Sequence, residues 1–247
     1  ATPAPLAFTM VREFPEVISA TRIFSHTHNT FFSYGDRKFY EKNILYVDSS
    51  FFNVFSVKLL HGDKKTCLSY PYSIVIEEET ARRYFGDENP VGQLIKMNNH
   101  ENYTITGVFE KIPSNSHFAC DFLVSFSTMD NRFSHDPEND WGSFFTLTYI
   151  LTDHHSDIEE LKAKLPDFIN TYFLEDIAAD NISLDARLQP LTSIHLHSNM
   201  IGEIRPNGNI STVYILSAIA FFILIIAVPV FQTGCETLFL EEPSGNP

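Results

Sequence analysis

The stretch SIVIEEETARRYFGDENPVGQLI, Ser73 to Ile95, decides the class of this fold. Ser73 to Ile76 is a short β-branched run that reads as a strand. Glu77 to Phe85 reads as a helix, with three glutamates at its positive N-terminal end and Arg82 and Arg83 toward its negative end. Gly86 reads as an αL C-cap, because glycine has no Cβ to oppose a positive φ. A strand running into a helix and back to an extended segment at Gln93 to Met97 makes this a mixed α and β chain. The run Glu77-Glu78-Glu79 is helix capping rather than a carboxylate site, since adjacent helical positions point in different directions.

Working toward the N-terminus, Leu6, Met10 and Phe14 recur four apart and predict a short helix over Pro5 to Phe14, stopped by Pro15. Val17 to Ser25 and Thr30 to Tyr34 are β-branched and aromatic strands, and Gly35-Asp36 turns the chain into an extended segment from Arg37 to Val47. Ser49 to Phe55 is a brief helical turn before another extended stretch that ends at His61-Gly62-Asp63. In the other direction, Asn98-Asn99-His100 joins Gln93–Met97 to Tyr103–Glu110 as a hairpin. Pro113-Ser114-Asn115 is a further turn, Cys120 to Phe126 a strand, and Asp130 to Asp140 a polar loop carrying His135 and Pro137.

A βαβ pattern follows: strand Phe144 to Leu151, helix Ser156 to Phe173, strand Ser183 to Gln189. Ser156 and Glu159 fit a capping box, and Ile158, Leu161, Leu165, Phe168, Ile169 and Tyr172 share one face, with Pro166 expected to kink the helix. Such a crossover is expected to be right-handed and to lay its helix on a sheet. Trp141, the lone tryptophan, reads as a buried anchor between two lobes.

The second decisive stretch is VYILSAIAFFILIIAVPVF, Val213 to Phe231. It has about 19 residues, near the roughly 20 needed to cross a bilayer core. It is apolar on every side apart from Tyr214, Ser217 and the late Pro229, where a core helix keeps a polar stripe. It lies at the wrong end for a signal peptide and lacks a basic n-region. Because the chain starts at Ala1, an export signal or another membrane helix is expected upstream.

The 247 residues are 44% hydrophobic and carry a formal net charge of -14, which gives ample core material and argues against nucleic acid or anionic lipid as the main partner. Lys64-Lys65 is too small a basic cluster to change that. Cys67, Cys120 and Cys235 are an odd set without a CxxC pair, so no zinc site or disulfide framework is encoded, although a single Cys67–Cys120 bridge stays open in an oxidising compartment. His26-x-His28, His154-His155 and His195-x-His197 have chelating spacings but no local Glu or Cys, and read as surface or loop histidines. Gly62-Asp63-Lys64-Lys65-Thr66 lacks the glycines of a P-loop, and neither H-E-x-x-H, G-x-S-x-G nor G-x-G-x-x-G occurs. No catalytic, cofactor or metal residue is expected.

Several motifs resemble those of the extracytoplasmic core domain of MacB/FtsX-like ABC transporter permeases of Bacteroidetes type. They are YVDSSFF at Tyr46 to Phe52, LLHGD at Leu59 to Asp63, the Ser73 to Ile95 stretch, YTITGVFEKIPSNSHFACDFLVSF at Tyr103 to Phe126, Trp141 with TYIL at Thr148 to Leu151, and LQPLTSIHLHSN at Leu188 to Asn199. The resemblance covers Pro3 to Ala227, and the order and spacing of the motifs carry it.

It implies an α+β, two-lobed domain followed by one transmembrane helix. A porter-like α/β lobe would comprise residues 1–67 and 141–208, with a Sabre-like lobe inserted at 68–140, a membrane helix at 211–231 and an atypical tail at 232–247. It further implies a non-catalytic transmitter in the bacterial inner membrane, its main domain periplasmic. ATP would be bound by a separate cytoplasmic ABC ATPase subunit. The partners implied are that ATPase, a second permease copy and a periplasmic adaptor or outer-membrane protein, and the cargo a lipoprotein, peptide or drug. Val213, Leu216, Ala220, Ile223 and Ala227 would span the membrane, and Asn207, Gly208 and Asn209 would form the coupling junction. One departure stands out. The family continues with a basic segment after its second helix, whereas here no Lys or Arg follows Arg205, which keeps a second reading open: a membrane-tethered sensor or protein-binding domain without transport.

Overall fold

The computed structural model describes residues 1–130, 139–180, 184, 186–194, 204 and 210–240. The chain divides into two compact units, Ala1–Leu188 and Gln189–Pro247.

In the first unit, β1 (Thr2–Pro3) and α1 (Leu6–Glu13) lead to β2 (Val17–His26), the hairpin β3 (Thr30–Tyr34) and β4 (Arg37–Glu41), then β5 (Ile44–Val47), α2 (Phe51–Val54) and β6 (Leu59–His61). β7 (Ser73–Glu77), α3 (Glu78–Phe85), β8 (Leu94–Met97), β9 (Glu101–Phe109), β10 (Phe122–Ser125), the short α4 (Ser127–Asp130), β11 (Phe144–Thr152) and α5 (Ile158–Asp180) follow. The strands make one sheet in the order β1-β11-β2-β5-β10-β7-β9-β8-β3-β4, with β6 added on β9. The pairs β5·β10 and β7·β9 are parallel and the others antiparallel.

Burial explains why the middle strands lack alternation. Every residue of β5 (ILYV), β7 (SIVIE) and β10 (FLVS) is buried, as expected where both faces are covered. β8 alternates exposed and buried residues because one of its faces meets water. The sheet also coils back on itself. Phe32 of β3 stacks flat on Phe122 of β10 at 4.4 Å, although three strands separate them in sheet order. The space between holds Tyr46, Tyr84, Tyr103, Ile74, Ile76 and Ile105, each isoleucine contributing about 1.5–3 kcal/mol by leaving water. A second core lies under α1 and α5, where Met10 and Phe14 meet Leu161, Leu165 and Phe168 around Val17. Trp141 belongs there, stacked on Tyr172 at 4.7 Å and edge-on to Phe173 at 5.0 Å.

Several expectations need correction. Arg37 to Val47 is two strands, because β4 pairs with β3 while β5 sits between β2 and β10. The chain changes place at Lys42-Asn43, where the Asn43 carbonyl accepts the amides of Asp121 and Phe122. Glu77 is the N-cap of α3 rather than its first turn, its Oε2 accepting from the amides of Glu79 and Thr80. Gly86 has φ 67° but ψ -124°, a glycine conformation outside αL. At α5 the cap is Asp157, whose Oδ1 accepts from Glu159 and Glu160, while Ser156 Oγ donates instead to the Glu16 carbonyl. The strand expected at Ser183 to Gln189 is not formed at Leu184 or residues 186–189. β11 takes both its neighbours, β1 and β2, antiparallel, so no crossover from β11 is seen among the described residues. Cys67 and Cys120 are both free and buried, so a bridge between them is not made.

Gly62, in the LLHGD motif, lies where β6 and β9 approach. Its φ is +102°, and a Cβ there would run into the Thr106 carbonyl, while one on Gly107 would lie 2.8 Å from the His61 carbonyl. In the second unit a 3₁₀ turn at Leu191–Ser193 precedes the 31-residue helix α6 (Ile210–Leu240).

Candidate functional site

Two features of the described residues carry distinctive chemistry, a buried charge pair in the sheet and an unburied apolar helix. Among the described residues no three His, Cys, Asp or Glu side chains form a group able to hold a metal ion. His26 and His28 lie with ring centroids 5.8 Å apart, whereas His195 and His197 lie outside the described residues.

The anchor is α6. Its window Ile210–Ala227 is 18 residues long with none of it buried, and it contains no Asp, Glu, Lys or Arg. At 1.5 Å per residue the window spans about 27 Å, close to a bilayer core. Val213, Leu216, Ala220, Ile223 and Ala227 all fall within it and all are exposed. Asn207, Gly208 and Asn209 lie outside the described residues.

The sheet carries a buried charge pair that no catalytic or ligand-binding motif announces. Arg22, in the middle of β2, reaches the carboxylate of Asp48 just beyond β5. Nη2 donates to Oδ1 at 2.7 Å and Nε to Oδ2 at 3.1 Å, while the Arg22 amide donates to Oδ2 at 2.7 Å. The two side chains are 4% and 8% exposed. The guanidinium carbon lies 4.4 Å from the Phe8 ring centre and 4.0 Å from that of Phe126, so α1 and the end of β10 close over it. Nη1 has no hydrogen-bond partner. Next to it, the Asp48 carbonyl accepts the Phe51 amide and Ser50 Oγ donates to the Ala20 carbonyl at 2.6 Å. One cluster therefore ties β2, β5, α1, α2 and β10. An arginine inside VISATRIFS and an aspartate directly after ILYV are its sequence signal.

Two further polar contacts pin distant segments. Tyr84 Oη and Arg83 Nη2 both donate to Glu41 Oε1, at 2.8 and 2.7 Å, which joins α3 to β4. Burial, then the Glu41 carboxylate, push the Tyr84 hydroxyl well above the ordinary tyrosine range, so it stays a donor. His117 Nε2 lies 3.1 Å from Tyr149 Oη, among the rings of Phe55 and Phe118, and burial lowers its pKa. Burial likewise pushes the Cys67 thiol up to about 11 and holds Cys120 well above the usual range, so neither is a ready nucleophile.

Comparison with known proteins places this geometry. Residues 1–168 match the family model described as the MacB-like periplasmic core domain. A domain of a protein described as a permease, from Porphyromonas gingivalis, superposes with TM-score 0.60 at 23% identity, covering 69% of this chain and 71% of that one. The periplasmic region of MacB from Actinobacillus actinomycetemcomitans does so with TM-score 0.53 at 16% identity, covering 74% and 85%. Comparison with curated proteins found no match.

Proposed function

Because this chain belongs to the family of MacB-like periplasmic core domains, we propose that it is the extracytoplasmic domain of an ABC transporter permease subunit, held in the bacterial inner membrane by α6. The observation that carries this reading is the succession, in one chain, of the family domain over residues 1–168 and an unburied apolar helix of membrane-crossing length at Ile210–Ala227. In this reading the main domain faces the periplasm, and Val213, Leu216, Ala220, Ile223 and Ala227 cross the bilayer. The segment Asn207-Gly208-Asn209 passes helix movement to the domain. A cytoplasmic ATPase supplies the energy and a second permease copy completes the transporter. The domain itself performs no bond chemistry and serves to export or extract a lipoprotein, peptide or drug.

A transmitter has to move as a body, and its interior suits that task. The Arg22–Asp48 pair joins five elements, so load entering one of them is shared by the central strands. Buried pairs of this kind lose several kcal/mol when one partner is lost, which resists partial opening.

The test uses the full chain expressed in a Gram-negative host. Carbonate-washed membranes should retain it, and protease added to spheroplasts should digest the domain from outside. Release by carbonate, or protection in intact spheroplasts, would overturn the placement. For coupling, the chain is reconstituted with its ATPase and carries spin-label pairs on the domains of two copies. An inter-copy distance that ignores ATP would remove the transmitter role, and normal coupling with Gly208→Pro and Asn209→Pro would remove the role of the junction.

A further inference from the structure

β4 ends the strand order of the sheet among the described residues. Its hairpin fixes which backbone groups are free. The two-residue turn Gly35-Asp36 makes Tyr34↔Arg37, Phe32↔Phe39 and Thr30↔Glu41 the hydrogen-bonded pairs of the ladder. The amides and carbonyls of Lys38 and Tyr40 therefore point away from β3, and Lys42 follows directly after Glu41, the last residue of β4. Of the β4 side chains only Glu41 is buried. Phe39 packs on Tyr84 at 5.1 Å and Glu41 is buried against Arg83 and Tyr84. Lys38, Tyr40 and Lys42 are exposed, Tyr40 by 73%. The Tyr40 ring lies 5.4 Å from that of its cross-strand neighbour Phe31.

The charges of this edge are uncommitted. Arg82, Arg83, Lys111, Lys162 and Lys164 are each paired with a carboxylate. Lys38 and Lys42 have no such partner among the described residues, and neither has Lys96, which shares Ser33 as cross-strand neighbour with Lys38. The nearest acidic groups along the strand are Asp36 in the turn and Glu41 on the opposite face, the latter already neutralised by Arg83. The remote carboxylates behind the net charge of -14 are screened beyond roughly 8 Å at physiological salt. Self-pairing of two β4 edges in antiparallel register about Tyr40 would set Lys38 opposite Lys42 twice, a like-charge arrangement that opposes dimerisation.

We propose that the β4 edge is a docking site for an extended acidic segment of a partner protein, which adds as an antiparallel strand. Three consecutive same-face positions of the added strand meet Lys42, Tyr40 and Lys38, about 7 Å apart. The matching pattern is acidic-x-apolar-x-acidic: carboxylates opposite the lysines, and a β-branched or aromatic residue on the Tyr40 ring. Main-chain hydrogen bonds supply affinity, and the alternate side chains supply choice of partner.

The probe is the blocked peptide Thr-Glu-Thr-Val-Thr-Glu-Thr, titrated by fluorescence anisotropy against the full chain in detergent micelles. Its counterpart with lysine for glutamate serves as control. The acidic peptide should bind and the basic one should not, with affinity falling as salt rises. Lys38→Glu with Lys42→Glu should weaken the acidic peptide about tenfold and give the basic peptide measurable binding, since two cross-strand pairs are reversed. An acidic peptide N-methylated at alternate amides should lose binding to the unaltered protein, a check that needs no variant to fold. Equal binding of both peptides, or acidic-peptide binding unaffected by N-methylation or by the charge reversal, would overturn the proposal. So would self-association in sedimentation that the charge reversal changes, because that would seat a second copy on this edge.

Discussion

Replacing Asp48 by alanine should be among the most damaging single changes in this domain. Asp48 accepts two donors of the Arg22 guanidinium and the Arg22 amide, with the arginine side chain only 4% exposed. Its removal leaves a cation under Phe8 and Phe126 with no counter-charge and with Nη1, which already has no partner. Breaking one partner of a buried pair costs about 3–5 kcal/mol, a large share of the roughly 5–15 kcal/mol that holds a domain together. Asp48→Asn keeps an acceptor for the Arg22 amide and should fall between the alanine variant and the original. Arg22→Met combined with Asp48→Leu removes both charges and keeps the volume. That double variant should lie within about 2 kcal/mol of the starting protein and be more stable than Asp48→Ala alone. Urea unfolding of the full chain in micelles, followed by the single Trp141, reads all four proteins. A cost below about 1 kcal/mol for Asp48→Ala, or a double variant as unstable as Asp48→Ala, would refute the claim that the pair is a desolvated and mutually compensated unit.

Other perturbations test other parts of the fold. Gly62→Ala forces a side chain into φ +102° and against the Thr106 carbonyl. It should lower stability by more than about 1–2 kcal/mol in the same urea assay, with β6 the first segment to lose hydrogen-exchange protection. His117 has a lowered pKa from burial, so the folded state binds fewer protons than the unfolded one as the pH falls through about 6.5. Stability should therefore be highest above pH 6.5 and drop toward pH 5.5, and His117→Phe should flatten that slope; an unchanged slope would place the titrating group elsewhere. Cys67 and Cys120 are buried, and the Cys67 thiol is pushed up to about 11. Iodoacetamide at pH 8 should leave both unmodified by mass spectrometry in native protein and label both in urea, and rapid native labelling would contradict their burial.

Local chemistry makes several elements legible in the sequence. The run SIVIE is too short and too β-branched for anything but a buried strand, and the acidic and basic ends of α3 announce its direction. The Asn98-Asn99 turn is equally plain, since both residues take the positive φ, 49° and 60°, that asparagine tolerates. Expectation and structure part where two local signals compete. Ser156 and Asp157 are both capping residues, and the cap falls to Asp157 because Ser156 is drawn to Glu16 of a neighbouring segment. Arg37 to Val47 has one continuous extended propensity, and nothing local marks the point where its halves join different parts of the sheet. The buried pair is hidden for a related reason: Arg22 and Asp48 look ordinary until β2 and β5 are set side by side.

The sequence alone determined what depends on neighbours along the chain. That includes the strand–helix succession at Ser73 to Ile95 and the apolar helix at Val213 to Phe231, whose uncharged length matches a bilayer whatever else the chain does. Only the tertiary structure decided which strand is central and which is an edge. It also coiled the sheet until Phe32 met Phe122, buried Arg22 against Asp48, and left Lys38, Tyr40 and Lys42 on an open rim. Those outcomes depend on pairing between residues far apart in sequence. Their energy comes from desolvation and hydrogen bonding at contacts that do not exist until the strands have met.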